Sequence, residues 1–234
     1  MHHKMQPTNG GIVVSVQTAL RERRAKGYET ARPDVQAHVP LQAKRILELG
    51  CSNGALGASI KARQSAVVVG VEVNLSYAEM AAARIDRVIV ADAETFASGT
   101  TPDEGPFDCL IAADVLEHLV NPWDVLSQCV RFLSPGATVI ISVPNILYGP
   151  GLSRLVWGRT WPRDPEGVFD ATHLRWFTRA DALTMLGDAG LTPTVVQPNY
   201  FSGGWRLRAK KLLASTPLYE YLVGQYVIVA IVTS

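Results

Sequence analysis

Apolar residues fall along this chain in two alternating patterns, short continuous runs and helical repeats, and the alternation predicts its elements. Ile46, Leu47 and Leu49 form a run of the kind a strand carries when both of its faces are buried. Runs over 66–73, 87–90, 107–113, 137–143, 191–197 and 225–233 repeat that signature, the last of them rich in valine and isoleucine. Between them the apolar spacing predicts helices over 55–63, 75–85, 123–133 and 182–190. Pro122 after Asn121 suits a first helical turn, Ser134 to Gly136 reads as the close of that helix, and Thr178 with Asp181 three residues on reads as an N-cap. Residues 12–26 place Ile12, Val13, Val16, Ala19 and Leu20 on one helical face and arginines on the other, with Gly27 as the stop and 28–40 as loop or broken helix. Residues 203–215 read as a further amphipathic helix with a solvated basic face, whose contact with a membrane or a partner stays open. Seven strands alternating mostly with helices predict an α/β fold: a doubly wound, mostly parallel seven-stranded sheet with helices on both faces. Such sheets bind ligands beyond the carboxyl ends of their strands.

Composition narrows this picture. The 234 residues, 47% of them hydrophobic, suffice for one α/β domain with a substantial core. The expected division is a helical segment over 1–43, a candidate lid, followed by a domain over 44–234 that carries a cap at 145–177. A formal net charge of +1 creates no global field for nucleic acid or an acidic membrane. The three cysteines, Cys51, Cys109 and Cys129, lie far apart without a C-x-x-C pair, which disfavours disulfides and zinc and suits a reducing cytoplasm. No signal peptide is read at the start, and the apolar run 226–232 is far shorter than the ~20 residues of a membrane helix.

Candidate chemistry gathers at the turn after the first run. Gly50 and Gly54 permit backbone angles and close approaches that a side chain would block. The positions of a dinucleotide fingerprint read Gly50, Ser52 and Ala55, which departs from G-x-G-x-x-G. Acids stand at or just beyond the ends of the next two runs, Glu72 and Asp92, and a carboxylate about 20 residues past such a turn can accept hydrogen bonds from both ribose hydroxyls.

Glu48, Gly50, Ser52 and Gly54 together resemble the E/D-x-G-x-G-x-G signature of class I S-adenosylmethionine-dependent methyltransferases, with serine in place of the middle glycine. The stretch from Phe107 and Asp108 to Leu116, Glu117, His118 and Leu119 resembles the region after strand four in the ubiquinone-type and related small-molecule members, as do Leu133 to Ala137 at strand five. The resemblance covers about residues 44–200. It implies S-adenosyl-L-methionine as cofactor, S-adenosyl-L-homocysteine as product and no metal. It further implies that Gly50, Cys51, Ser52 and Gly54 pass beneath the methionine part, that Glu48 and backbone near Ala113 place its ammonium, that Glu72 and Val73 meet the ribose, and that Asp92 and Ala93 meet the adenine.

For the proton of an oxygen nucleophile the candidates are His118 and His173, while Glu117 reads as a helix-start acid. Tyr148, Trp157, Trp161 and Arg175 are the candidate acceptor-binding residues, for an acceptor that is anionic or aromatic. The implied activity is methylation of a hydroxyl on a small molecule such as a natural product or sugar. N-methylation, and a partner or regulatory subunit of the MetW type that binds the cofactor without catalysis, remain as alternatives. The glycine spacing disfavours an NAD-dependent oxidoreductase, and the absence of an RNA-binding module disfavours nucleic-acid methylation.

Overall fold

The seven apolar runs become seven strands of one sheet: β1 (Arg45–Leu49), β2 (Val67–Glu72), β3 (Arg87–Val90), β4 (Phe107–Ala113), β5 (Leu133–Pro144), β6 (Leu191–Asn199) and β7 (Gln225–Val232). Their order is β3-β2-β1-β4-β5-β7-β6 in the computed structural model, which describes residues 30–100, 102–201 and 216–233. The helices expected over 12–26 and 203–215 lie outside the described residues. The strands from β1 to β5 pair in parallel, and β7 runs antiparallel to both of its neighbours.

Strand alternation divides the core in two. Leu47, Leu49, Leu110 and Ala112 face a cluster built with α4 (Ala93–Ala97), α5 (Pro122–Val130) and α7 (Arg179–Asp188). Ile46, Cys109 and Ile111 face the other, built with α1 (Pro33–Gln36), α2 (Ala55–Arg63) and α3 (Leu75–Ala82). Val35, Val39 and Ala43, from the stretch before β1, are buried in that second cluster. Side chains cap the helices on schedule. Asn74 accepts from Ser76 N and Tyr77 N, Asn121 accepts from Asp124 N, and Thr178 and Asp181 form a reciprocal box.

Three local expectations change. Ser134 to Gly136 do not close α5, which ends at Val130; they lie inside β5 as a bulge. Phe107 pairs with Leu133 and Cys109 with Thr138, so the added residues leave the ladder, and Gly136 turns at φ 74°. Asp92 is the N-cap of α4, an element its short sequence did not announce. The cap begins with α6 (Gly149–Gly158) and then runs irregularly to Phe177, which bridges Asn145 beside β5.

Gly70, in the middle of β2, marks a close approach. A Cβ there would overlap Cys51 Sγ and lie 2.8 Å from Ile85 Cδ1. Gly70→Ala is therefore expected to destabilise the protein by about 1–3 kcal/mol through overpacking, read as a lower urea midpoint at unchanged m-value.

Candidate functional site

A cavity of about 510 Å³ opens beyond the carboxyl ends of β1 and β4. Its floor is the turn that follows β1, where Gly50, Ser52 and Gly54 take φ of 66°, 48° and 77°. A Cβ at Gly50 would come within 2.8 Å of Val115, and one at Gly54 within 3.0 Å of the Ala81 backbone, so both glycines are required by contact as well as by conformation. Ser52 adopts the left-handed region without a glycine's freedom, at a cost of about 1–2 kcal/mol. Its N–H donates to Glu72 Oε2 at 2.9 Å, while Glu72 Oε1 accepts from Asn74 N at 2.8 Å. One carboxylate thereby pins the turn to the tip of β2.

Glu48 lies behind this turn, 4% exposed, with Oε2 lacking a hydrogen-bond partner. Burial, with Glu72 adding to it, pushes its carboxyl up to about 8. Burial and the same two acids push the Cys51 thiol up, which leaves Cys51 no role as a nucleophile.

On the β4 side the backbone turns at Asp114, φ 57°. The Asp114 carboxylate accepts from Ser142 Oγ at 2.7 Å, from Gln225 Nε2 at 2.6 Å and from Arg32. Arg32 also pairs with Asp34 at 3.0 Å; although burial works against its charge, Asp114 and Asp34 outweigh burial and raise its pKa. This guanidinium is committed within the protein.

The 3-10 turn Leu116–His118 comes next and carries Glu117 in its first turn, the helix-start position expected of it. Its carboxyl lines the cavity, 1% exposed, with Oε2 lacking a hydrogen-bond partner. Burial first and Asp114 next hold that carboxyl well above the usual carboxylate range. The Glu117 carbonyl accepts from Leu174 N at 2.8 Å and Arg175 N at 3.0 Å, which draws the cap segment in and seats His173 beside it. His173 Nε2 lies 4.0 Å from Glu117 Oε1, and the His118 and His173 rings meet edge to face at 4.8 Å. His173 Nδ1 is 3.0 Å from the Val168 carbonyl and His118 Nδ1 is 3.3 Å from that of Thr172. Carbonyls only accept, so each Nδ1 carries the hydrogen, and a ring in its neutral form then has its lone pair on Nε2. Burial, then His118, lowers the pKa of His173.

Glu48, Gly50, Cys51, Ser52, Ala113, His118 and His173 thus line one cavity. Gly54 packs α2 against α3, and Glu72 stands behind the turn. Val73, 68% exposed, and Asp92, exposed and accepting from Thr95 N at 2.8 Å, stand at the tips of β2 and β3 outside the cavity, with Ala93 buried below. Tyr148, Trp157, Trp161 and Arg175 do not line it. The Tyr148 ring packs on Phe201, Trp161 packs on Phe169 and Trp176, Trp157 is 84% exposed, and Arg175 donates to the Val120 and Leu174 carbonyls. Sequence reasoning missed Arg32, Asp114, Glu166, Asp170 and Gln225. Of these, Asp114 had a signal, standing within the stretch from Phe107 to Leu119. Among the described residues the lining reads as five carboxyl groups, Glu48, Asp114, Glu117, Glu166 and Asp170, against the guanidinium of Arg32.

Known proteins share this fold. A family model described as a methyltransferase domain matches residues 9–196. The ubiquinone biosynthesis O-methyltransferase of Cereibacter sphaeroides is 26% identical over 188 residues, 76% of this chain and 74% of that protein. Its namesake in Psychrobacter cryohalolentis is 27% identical over 133 residues, 54% of this chain and 51% of that one, so here the match spans about half the relative's length. A SAM-dependent methyltransferase of Thermotoga maritima, described as a possible histamine N-methyltransferase, superposes with a TM-score of 0.63 at 16% identity, covering 92% of this chain and 99% of that one. Magnesium protoporphyrin IX methyltransferase of Synechocystis, solved with bound SAH, gives 0.58 at 16% identity, covering 99% and 90%. At such identities the structural likeness is one of fold. Strand order, glycine turn and a family match over most of its length agree: the chain belongs to the class I S-adenosylmethionine-dependent methyltransferases.

Proposed function

We propose that the enzyme moves the methyl group of S-adenosylmethionine to a hydroxyl of a small molecule. The observation that carries this reading is one cavity with two chemistries: an acid-lined floor at the glycine turn and, in its wall, an acid and two imidazoles whose neutral rings keep Nε2 as proton acceptor. The cofactor is cationic at its sulfonium and its ammonium, which suits a lining dominated by carboxyl groups. In this reading Glu48 and backbone at Ala113 face the ammonium, the Gly50 to Gly54 turn runs under the methionine part with Cys51 and Ser52, and Glu72 and Val73 take the ribose. Asp92 and Ala93 take the adenine, which covers the exposed Val73.

In the reaction the oxygen–carbon bond forms as the carbon–sulfur bond breaks, its electron pair remaining on a now neutral sulfur. The chain's main contribution is to hold oxygen, methyl and sulfur in line, an effect of several kcal/mol. The hydroxyl proton leaves to the Glu117, His118 and His173 cluster. Hydroxyl as acceptor is supported by the names of the curated relatives, both O-methyltransferases. Among the described arginines, Arg32 is committed to Asp34 and Asp114, Arg154 pairs with Asp164, and Arg175 holds backbone carbonyls, so these three give no support to an anionic acceptor. Of the aromatic candidates, Tyr148 reaches the acceptor through Phe201, which lines the cavity.

Incubating the purified chain with methyl-labelled cofactor and pools of hydroxylated acceptors is expected to give products heavier by one methyl. Replacing both histidines, His118→Gln with His173→Gln, should leave S-adenosylhomocysteine affinity nearly intact and lower turnover by about 10²–10⁴-fold; unchanged turnover removes the imidazoles from the mechanism.

Glu48 supplies an independent test. With its carboxyl at about 8 it is mostly protonated at pH 7, and a nearby cation favours the carboxylate, so cofactor binding is expected to release up to about one proton. Calorimetry in buffers of different ionisation enthalpy reads that release, and Glu48→Gln should abolish it and weaken binding. The folded-state pKa lies above the unfolded one, so the stability Glu48 contributes is full below the ordinary carboxylate range and lost as pH rises through about 8. Glu48→Gln should accordingly raise Tm at pH 8 and not at pH 4; an unchanged Tm at both would mean that Glu48 is solvated.

A further inference from the structure

Glu166 stands exposed in the cap and lines the cavity, and among the described residues its carboxylate makes no hydrogen bond or ion pair. We propose that the acceptor carries a protonated amine as well as its hydroxyl, and that Glu166, together with Asp170, binds that ammonium group at the mouth of the cavity. The hydroxyl rests on the O-methylation reading; the choice of charge rests on the cavity's own residues. It departs from the anionic acceptor that the arginines near the cap suggested.

Backbone bonds hold Glu166 in place. Asp164 N donates to the Phe169 carbonyl at 2.8 Å, Asp170 N to that of Gly167 at 3.0 Å and Ala171 N to that of Asp164 at 2.9 Å, which closes 164–171 into a tight loop around Gly167, φ 86°. Val168 and Phe169 are buried and anchor the loop, so the position of Glu166 is set before any ligand arrives. Asp170, 7% exposed and lining the same cavity, accepts from Thr172 N at 2.7 Å and Thr172 Oγ at 2.6 Å, both neutral donors. A second group also points to a ligand. Glu117 lines the cavity at 1% exposure with Oε2 lacking a partner, a need that the hydrogen of an acceptor hydroxyl meets. One compact molecule serves both ends, its hydroxyl at the Glu117 cluster and its ammonium at the cap loop.

The balance of charge favours an ammonium over its neutral and anionic counterparts. The cofactor brings a sulfonium, an ammonium and a carboxylate, a single net positive charge, and in the placement given above it meets Glu48 at the glycine turn. Arg32 pairs with Asp114. Among the described lining residues this leaves Glu166 and Asp170, both in the cap, on the side left to the acceptor. An anionic acceptor is repelled by both carboxylates and a neutral one leaves Glu166 to water, whereas an ammonium donates a charge-assisted hydrogen bond. The amine takes no part in the bond making. The hydroxyl oxygen attacks the methyl carbon, its proton leaves to the Glu117, His118 and His173 cluster, and the carbon–sulfur pair stays on sulfur. A positive charge near the hydroxyl eases the loss of that proton, because it favours the ionised oxygen.

The test uses the full chain saturated with S-adenosylhomocysteine and two sets of hydroxylated probes matched in shape and differing in charge. Dopamine is compared with N-acetyldopamine and dihydroxyphenylacetate, and glucosamine with N-acetylglucosamine and glucuronate. In at least one set, calorimetry is expected to find the cationic member bound about fivefold or more tightly than the neutral one and the anionic member weakest, with the preference shrinking at about 0.5 M salt. Glu166→Gln should remove most of that preference and Glu166→Lys should turn it toward the anionic member; a thermal shift on adding S-adenosylhomocysteine shows that both variants fold. No binding of either cationic probe at millimolar concentration, no preference for charge in either set, or the wild-type preference retained in Glu166→Gln overturns the proposal. Methyl transfer is read separately, with the methylated atom located by fragmentation in the mass spectrometer. O-methylation of neutral and cationic probes at equal kcat/KM overturns the charge selection while leaving the O-methylation reading standing. A methyl group found on nitrogen, or charge-selective binding without transfer to any hydroxyl, keeps the ammonium site and counts against that reading.

Discussion

Two neighbouring parallel strands, β1 and β4, end side by side, and the chain leaves them toward opposite faces of the sheet. After β1 it enters α2, whose Leu56 and Ile60 join one core cluster; after β4 it reaches α5, whose Val125, Leu126 and Cys129 join the other. No connection crosses the space beyond the two strand ends, and a crevice must form there. Gly50 sets its depth, because the β1 turn rests so closely on Val115 of the β4 turn that a Cβ would not fit. A cofactor-sized hollow is thus a consequence of topology, and the residues around it decide its chemistry.

Those residues place acids where desolvation is costly. Asp114 is relieved by Arg32, Ser142 and Gln225, and Glu72 by two backbone N–H groups. Glu48 and Glu117 each keep a buried oxygen without a partner, and both line the cavity. A buried oxygen left without a partner costs about 1–3 kcal/mol, so two of them in one cavity lower stability. The two differ in surroundings. Glu48 lies behind the glycine turn, whereas Glu117 faces two imidazoles.

The strands and the glycine turn were legible because buried runs, helical periods and glycine positions are local signals. The cap of α7 was legible for the same reason, Thr178 and Asp181 being three residues apart. The bulge in β5 was not, since Ser134, Pro135 and Gly136 look like a helix stop and only the pairing with Phe107 and Cys109 makes them strand. Nor was the orientation of the aromatic cap. A cluster of tryptophans and arginines reads equally as a pocket wall or as self-packing, and here Trp161 packs on Phe169 and Trp176 while Trp157 faces outward. The histidines were legible as candidates, but their proximity depends on partners 54 residues apart, His118 and the Thr172 carbonyl. Arg32 and Asp114, 82 residues apart, were invisible as a pair.

Glu117 joins two tasks that sequence would assign to separate residues. Its carbonyl receives the N–H groups of Leu174 and Arg175 and so fixes the cap to the β4 turn, while its carboxyl faces His173, the residue just before that junction. Docking of the cap and assembly of the three-residue cluster are therefore one event: any shift that breaks the backbone tie also removes His173 from the cavity. The Asn145 side chain holds the Glu220 and Val223 carbonyls nearby, and Phe177 bridges to Asn145, so the far end of the cap is tied to β5 and to the approach to β7. A segment with little regular structure of its own thus gains its position from the sheet. The buried acid that lines the cavity sits at the point where that position is set.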